Sequence, residues 1–477
     1  MGKDTLYMIF AQVLFIASAT AVHIGMGRIL GPESYGEFGV ILSLVAVLEV
    51  FLARGVRDSV TKYTAEFPEK SQAIKRQGLI IGAIFGGLVF LLYVLTAKPI
   101  AFAFHNANLT RPLRISALII PLIALYSVLI GHLSGKRMFG KRALAMSVQS
   151  LGKVAGVYIL ALMGFGLQGA MSGYVISYAL ALLAAFYFSR EARKESETFP
   201  ASKVLFFAVP IVVFSIFLSL LMNLDIFFVK TLIQEGQAAG FYTAVLALTR
   251  APYLVSHAFA ITLLPVISRL TSSNRLQEAS RYINKSLRLL LILLVPVAFI
   301  TNGLSGPIIE WVYSSRYLPA ARPLGILIFG ITFLTFFSVL AAVINGSGKP
   351  KTSMALAGAV LPLDVLLNLL LVPRFGLSGA AAATTITSLA GMIAAALVVQ
   401  KKFGVLMNGR SFLKILLSSL VFFIVPRLWP VSGWSLILYA LGLFGFYLLL
   451  LILLKEISRD DLDLLRNLWT GMIKKNP

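Results

Sequence analysis

Long apolar runs separated by short polar segments follow one another along the whole chain. Each run is about 20 residues long, the length that a helix needs to cross a bilayer. Backbone N–H and C=O groups cannot stay unpaired in hydrocarbon, so each run is predicted to be a helix. The pattern predicts an all-α integral membrane protein with about 14 transmembrane helices. The predicted spans are 6–26, 38–56, 78–95, 113–133, 143–163, 167–188, 204–229, 240–264, 287–304, 323–344, 354–372, 377–399, 412–426 and 434–454.

Two short patterns occur twice, each at a tight turn between apolar runs. Segment 28–44 has the same outline as 230–248, and Gly166-Leu-Gln-Gly-Ala170 recurs as Gly376-Leu-Ser-Gly-Ala380. The repetition predicts two pseudo-symmetric six-helix lobes, related by an axis along the membrane normal. We therefore predict an N-terminal six-helix lobe at 1–200, a C-terminal six-helix lobe at 201–403, two additional transmembrane helices at 404–455 and a tail at 456–477.

The tail has the periodicity of an amphipathic helix. Ser458 and Asp461 have the spacing of a capping box, and apolar residues follow at helical intervals from Leu462 to Met472. We expect this helix to lie on the cytoplasmic surface of the membrane. A soluble helix packed on cytoplasmic loops fits the same pattern.

Composition and charge strengthen the membrane interpretation. The 477 residues are 58% apolar and only 13% charged, and the mean hydropathy is +0.89. The net charge of +23 does not indicate a nucleic-acid partner, because the basic residues lie between apolar runs rather than on one surface. Most of the 42 basic residues fall on the side of the N-terminus, which predicts a multi-pass cell (plasma or inner) membrane protein with both termini cytoplasmic. The absence of cysteine excludes disulfides and thiolate chemistry.

Several phrases of the sequence resemble one family of membrane transporters. They are Leu30–Phe38, Leu224-Asp225, Gly240–Tyr242, Leu264-Pro265 with Ser268, and Asn368–Thr384. Together they resemble the polysaccharide transport branch of the multidrug, oligosaccharidyl-lipid and polysaccharide (MOP) exporter superfamily, which includes O-antigen flippases. The resemblance covers almost the whole chain. It implies two six-helix bundles around a central cavity that opens alternately to either side, with a lipid-linked oligosaccharide as cargo.

Three ionisable residues lie near the middle of predicted spans, where a charge costs about 2.5–3.5 kcal/mol on insertion scales. They are Lys153, Arg250 and Asp364. Lys153 and Asp364 are one residue apart in register when the repeated glycine turns are aligned. Lys153 and Arg250 are predicted to bind the pyrophosphate of the cargo, since a guanidinium fork suits two phosphate oxygens. A structural Lys153–Asp364 ion pair between the lobes is the alternative.

Arg250 is the strongest candidate for binding cargo because Pro252 follows it. Proline frees a carbonyl group and bends a helix, so a charge beside it is expected to face a cavity. His257 lies two helical turns further along the same face and is the one histidine expected in the cavity. Packing against a neighbouring helix is the alternative for His257.

Three further cations stand nearer the ends of their spans. Arg28, Arg54 and Arg57 would extend a basic track through the first lobe if they face the cavity. Long basic side chains at such positions also reach water or headgroups, which is the alternative interpretation.

Acidic residues are scarce in the predicted spans. Asp225 and Lys230 lie towards the outer end of the seventh span, where charge pairing or ion coupling is one interpretation and a structural role at the helix end is another. Glu49 lies in the middle of the second span, and the sequence indicates no partner for it.

The sequence predicts no enzyme, metal or cofactor site. Gly135–Arg142 resembles a phosphate-binding loop, but Arg142 stands in place of the hydroxyl that holds magnesium, so we exclude an ATPase. The four histidines, at 23, 105, 132 and 257, have no metal-ligand spacing.

Taken together, these residues predict a flippase for a polyprenyl-(pyro)phosphate-linked oligosaccharide in glycan biosynthesis. Its expected partners are this substrate, membrane lipids, and a glycosyltransferase or polymerase of the same pathway. A cation-coupled multidrug antiporter is the alternative, which the near-absence of acid in the first six spans disfavours. A non-transporting glycan-assembly factor is the second alternative.

Overall fold

The computed structural model describes residues 2–190, 199–404, 409–429 and 431–456. Every regular element within these ranges is helical. This confirms the predicted all-helical class. The predicted amphipathic tail lies outside the described residues beyond Glu456. By compactness the chain divides into two units, 1–243 and 244–477, and each is described by itself below.

The first unit is built from ten helices, the last of which continues past its boundary. Their bounds are α1 Gly2–Glu49, α2 Gly55–Glu66, α3 Ser71–Ala103, α4 Thr110–Ala117, α5 Ile119–Gly135, α6 Phe139–Leu160, α7 Gly166–Phe188, α8 Ala201–Leu221, α9 Leu224–Leu232 and α10 Ala238–Thr249. The second unit follows with α11 Ala251–Ser272, α12 Leu276–Gly303, α13 Ser305–Val312, α14 Ala321–Gly346, α15 Pro350–Phe403, α16 Gly409–Leu428 and α17 Ser435–Leu453.

Many of these helices have the length and apolarity of membrane spans. Within the described residues, nine helical stretches pass both criteria, and Val212–Leu221 with Leu224–Leu232, bent by 43°, makes a tenth. Large apolar side chains such as Leu95 and Leu438 each remain 74% exposed, as expected for a surface that faces lipid. By contrast, α14 is almost entirely buried within its unit.

The longest helices are interrupted at glycines with positive φ. α1 has 48 residues, whereas one crossing needs about 20. Its backbone leaves the helical region at Gly31 (φ 72°), directly before Pro32. α15, with 54 residues, does the same at Gly376 (φ 59°, ψ −136°). Glycine adopts this backbone conformation without the steric cost that a Cβ would add.

The predicted Gly-Leu-x-Gly-Ala repeat is also a repeat of structure. Gly166, at φ 49° and ψ −130°, has nearly the backbone conformation of Gly376. A Cβ on the second glycine of each motif would overlap a leucine carbonyl, that of Leu160 for Gly169 and that of Leu371 for Gly379. The pattern of buried and exposed positions is the same along 166–179 and 376–389. The two units therefore contain copies of one helical hairpin.

The last two helices pack inside the second unit. Phe422 of α16 and Tyr447 of α17 are fully buried in a cluster that includes Ile292 and Ile300 of α12. The rings of Phe422 and Tyr447 meet edge to face at 5.9 Å. These contacts join the two additional helices to α12.

Candidate functional site

Lys153 is a buried cation of the first unit. It lies on α6, only 3% exposed, and its Nζ is 4.8 Å from the centre of the Phe15 ring on α1. The ring face offers the ammonium group a cation–π contact in place of water. The charged group that acts on Lys153 from the described residues of this unit is the carboxylate of Glu49.

Glu49 is the last residue of α1, and a single π-helical turn, Val50–Arg54, follows it. Such turns widen the helix and often occur at functional positions. The charges of Arg57 and Lys153 both act on the Glu49 carboxylate. The structure thus supplies the partner of Glu49 that the sequence did not indicate, and it places Lys153, Glu49 and Arg57 in one cluster.

Arg142 belongs to the same electrostatic network, and sequence reasoning did not select it for a binding role. Its guanidinium is influenced by Arg57, Tyr126 and Asp58, and it donates a hydrogen bond to Ser134 Oγ at 3.0 Å. Its Nε is buried and has no hydrogen-bond partner among the described residues. In the sequence, Arg142 lies in the basic loop at 135–142, and the basic residues of that loop indicated only which side of the membrane it occupies.

Around the charges, the walls of the cluster are aromatic. The rings of Tyr126 and Tyr178 meet edge to face at 6.2 Å, and both hydroxyls are under the influence of Glu49. On the other side of the network Arg57 donates from Nε to Asp58 Oδ1 at 3.3 Å. We define Lys153, Glu49, Arg57 and Arg142 as the basic cluster. Its three cations outnumber Glu49 and Asp58, the two carboxylates that act on them.

Two of the predicted arginines have different surroundings. Arg54 is half-buried at the end of the π-helical turn, one turn before Arg57. Arg28 is exposed near the break at Gly31, and its charge acts on Tyr158, whose hydroxyl donates to the Ala21 carbonyl at 2.8 Å. Arg28 is therefore placed apart from the basic cluster.

Asp225 and Lys230, for which the sequence left charge pairing, ion coupling or a role at the helix end open, have separate partners. Asp225 is 1% exposed and accepts hydrogen bonds from the Tyr242 hydroxyl at 2.6 Å and from the Ile226 amide at 2.9 Å. The charge of Lys230 acts on Glu37, which also accepts a hydrogen bond from Asn106. Tyr242 and Glu37 both belong to the repeated turn segments, but nothing in the sequence distinguishes them there as partners of these charges.

In the second unit, Arg250 is half-buried and interrupts the helical path between α10 and α11. Pro252 lies in the first turn of α11, where a missing amide proton costs no helical hydrogen bond. Arg250 keeps a helical backbone conformation (φ −70°, ψ −21°), and the bend expected beside Pro252 stays a prediction. The side chain of His257 is outside those that the structure describes.

Asp364 is fully buried on α15. Asn368, one turn later, donates from Nδ2 to the Asp364 carbonyl at 2.9 Å and to its carboxylate at 3.3 Å. Asp364 lies seven residues before Leu371, and Lys153 lies seven residues before Leu160, the two leucines that contact the repeated glycines. The two charges thus occupy the same position of the repeat, because a π-helical turn at Ala161–Phe165 accommodates the extra residue of the first copy. The pairing of Lys153 with Asp364 stays a prediction.

Comparisons with known proteins agree with this architecture. A family model described as "Polysaccharide biosynthesis protein" matches residues 26–322. The putative O-antigen transporter of Shigella flexneri is 25% identical over 376 residues, which are 75% of this chain and 87% of that protein. The inward closed structure of the lipid II flippase MurJ superposes with a TM-score of 0.73 at 17% identity, covering 93% of this chain and 97% of that one.

A second solved structure connects the fold to drug transport. An inward-facing multidrug resistance MATE family transporter of the MOP superfamily superposes with a TM-score of 0.71 at 17% identity, covering 85% of this chain and 96% of that one. The resemblance that the sequence motifs indicate is therefore confirmed. The fold alone is shared by flippases and multidrug transporters.

Proposed function

We propose, from the premise that the chain belongs to the polysaccharide biosynthesis protein family, that it is a flippase for a polyprenyl-(pyro)phosphate-linked oligosaccharide. It moves this cargo across the cell membrane by alternating access, for the biosynthesis of a cell-surface polysaccharide or glycan. The putative O-antigen transporter among the relatives supports this cargo class, and the lipid II flippase MurJ has the same fold.

The single observation that carries the proposal is the excess of positive charge in the basic cluster. Glu49 acts on Lys153 and is acted on by Arg57, Asp58 acts on Arg142 and pairs with Arg57, and the buried Nε of Arg142 lacks a hydrogen-bond partner within the described residues. Guanidinium groups that are partly removed from water attract phosphate oxygens strongly. An anionic headgroup would supply the negative charge that this cluster lacks.

The antiporter alternative needs an acidic group that is available for cations. In the basic cluster Glu49 already faces two cations, Lys153 and Arg57. A carboxylate in that setting is a poor site for a cationic drug, because the neighbouring charges repel it. The fold is compatible with an antiporter as well as with a flippase. The excess of positive charge in the basic cluster favours the flippase.

The remaining site residues complete the proposal. Arg250 binds the pyrophosphate from the second unit, assisted by His257 on the same helical face. Arg28 and Arg54 extend the basic track, and Asp225, Asp364 and Lys230 serve charge pairing or ion coupling. Glycosyltransferases or a polymerase of the pathway are the proposed partners on either side of the transport step.

The breaks in the helices support the proposed count of fourteen spans. α1 and α15 each hold two spans, joined at Gly31 and Gly376. α6 and α7 hold one span each, whereas α10 and the first part of α11 together form the eighth proposed span. Lobes at 1–200 and 201–403, two further helices at 404–455 and cytoplasmic termini complete the proposed organisation. An amphipathic helix at 456–477 then lies on the inner membrane surface.

Complementation of a glycan-export defect tests the proposal. We expect Arg250→Ala and Lys153→Met each to abolish export when export is normalised to the amount of the variant in the membrane, because the anionic headgroup loses its counter-charge. Arg250→Lys should restore part of the activity, since the charge returns without the fork geometry. Lys62→Gln removes an exposed lysine of α2 and is the matched control, expected to be fully active. Full export by the Arg250→Ala and Lys153→Met variants would contradict the proposed site.

A further inference from the structure

A cleft in the first unit has a lining that the proposed transport site does not use. It lies between the loop before α4, the first turn of α4 and the first turn of α7. The residues that line it are Ala107, Asn108, Thr110, Arg111, Arg114 and Gln168. All of them belong to segments that the charge pattern places on the outer side of the membrane.

The internal repeat indicates which of these residues the fold itself requires. Thr110-Arg-Pro-Leu-Arg-Ile115 recurs as Ala321-Arg-Pro-Leu-Gly-Ile326 at the start of α14. Arg111 and its counterpart Arg322 are both exposed beside a buried Pro-Leu pair. An arginine at this position therefore belongs to the start of the helix in both copies and is not specific to the cleft.

Arg114 departs from the repeat. Its counterpart Gly325 is buried, and the Gly325 carbonyl accepts a hydrogen bond from Asn302 Nδ2 at 2.6 Å. A Cβ at Gly325 would lie 2.7 Å from that nitrogen, so the second copy has no room for a side chain at this position. In the first copy the equivalent residue is Arg114, which is exposed to solvent. Gln168 likewise replaces the smaller Ser378 of the second copy.

The two guanidinium groups of the cleft are available to a ligand. Neither Arg111 nor Arg114 forms an ion pair with another residue of the described part of the chain. They are three residues apart on α4, so their like charges lie on one face of the helix and repel each other. Glu37, the carboxylate that Asn106 contacts, is already under the influence of Lys230. A bound anion would relieve the repulsion.

The neutral groups of the cleft match a sugar. Asn108 and Gln168 provide amide donors and acceptors, and Thr110 provides a hydroxyl group. The backbone amide of Asn108 donates to Asn106 Oδ1 at 3.0 Å, which fixes the loop that carries Asn108. Paired guanidiniums beside amides can bind a carboxylate or phosphate together with neighbouring hydroxyl groups.

We infer that this cleft binds an acidic sugar unit of the translocated oligosaccharide on the outer side of the membrane. The inference rests on the proposed function and adds a substrate class to it, a glycan that carries a carboxylate or phosphate. The cleft holds the delivered glycan after the lipid-linked headgroup has crossed. A phosphate headgroup of a membrane lipid has the same anionic chemistry, and the experiment separates the two sources.

Binding to the full-length protein in nanodiscs of zwitterionic lipid tests the inference, with trigalacturonate as acidic probe and maltotriose as neutral probe. We expect titration calorimetry to detect trigalacturonate binding that is stronger than maltotriose binding. The double variant Arg111→Gln/Arg114→Gly should weaken trigalacturonate binding by about tenfold or more. Its second substitution introduces the glycine that the second copy has at the equivalent position. Arg322→Gln is the matched control in the second copy and should leave trigalacturonate binding unchanged.

Three outcomes would overturn the inference. They are equal binding of both probes, binding that the double variant leaves unaltered, and loss of trigalacturonate binding when phosphatidylglycerol replaces part of the lipid. The last outcome would assign the cleft to a lipid headgroup. Translocation is not measured in this experiment, so a failure of the proposed transport function remains distinguishable from a failure of the cleft.

Discussion

A buried lysine in a membrane helix needs a compensating group, and for Lys153 the first unit provides Glu49 and the face of Phe15. Removing one of two buried charges that compensate each other leaves the second uncompensated, and such a change destabilises more than removing both. The position of Lys153 could be read from the sequence because a cation interrupts an apolar run. The influence of Glu49 on Lys153 could not be read from the sequence, because it depends on how α1 and α6 are rotated against each other.

A double-mutant cycle on thermal stability in detergent tests this influence. We expect Lys153→Met alone to destabilise the protein by about 3 kcal/mol, with much of the loss recovered in Glu49→Gln/Lys153→Met. The matched cycle uses Asp364→Asn with Lys153→Met, which tests the ion pair that the sequence left open as the alternative. Coupling with Asp364 and none with Glu49 would contradict the basic cluster.

Among the elements, the glycine breaks explain how very long helices serve as hairpins. The Gly-Leu-x-Gly-Ala motif was readable as a turn because glycine and small residues interrupt two apolar runs, and the structure places a positive φ at Gly166 and Gly376. The π-helical turn at Ala161–Phe165 was not readable, since it arises from one extra residue between packed helices. It is this turn that brings Lys153 and Asp364 into the same register of the repeat.

Substituting alanine for Gly376 tests whether the break in α15 requires glycine. Gly376 has φ 59° and ψ −136°, a region that other residues enter only at a cost. Gly376→Ala should therefore lower stability by about 1–3 kcal/mol in a thermal melt. Gly442→Ala is the control, because Gly442 lies within α17 and a Cβ there would meet no neighbouring atom within 4 Å. Equal stability of both variants would show that the strained backbone is not required.

At the scale of the whole molecule, the distribution of basic residues predicts the orientation in the membrane. The chain contains no cysteine, so single cysteines report their own accessibility. A cysteine at Asn106 or Gly236 should react with an impermeant thiol reagent added to intact cells. A cysteine at Met138 should react only after the membrane is opened. Labelling at position 138 from outside would reverse the proposed orientation.

The fold class was predictable from apolar runs alone, whereas the cargo depends on side chains that only the folded chain brings together. Arg142 illustrates the difference. In the sequence it is one of many basic residues in a short loop, and in the structure its buried Nε joins the network of Arg57 and Tyr126. The choice between flippase and antiporter therefore rests on the charge balance of the basic cluster.

Translocation in proteoliposomes tests that choice most directly. The purified protein is reconstituted with a fluorescent polyprenyl-pyrophosphate-linked oligosaccharide, and the fraction of sugar reached by an impermeant probe is followed over time. Vesicles with the wild-type chain should expose the internal pool rapidly, and vesicles with Lys153→Met should behave like protein-free vesicles. No acceleration of the lipid-linked sugar, together with ethidium transport driven by a proton or sodium gradient, would contradict the flippase and establish the antiporter.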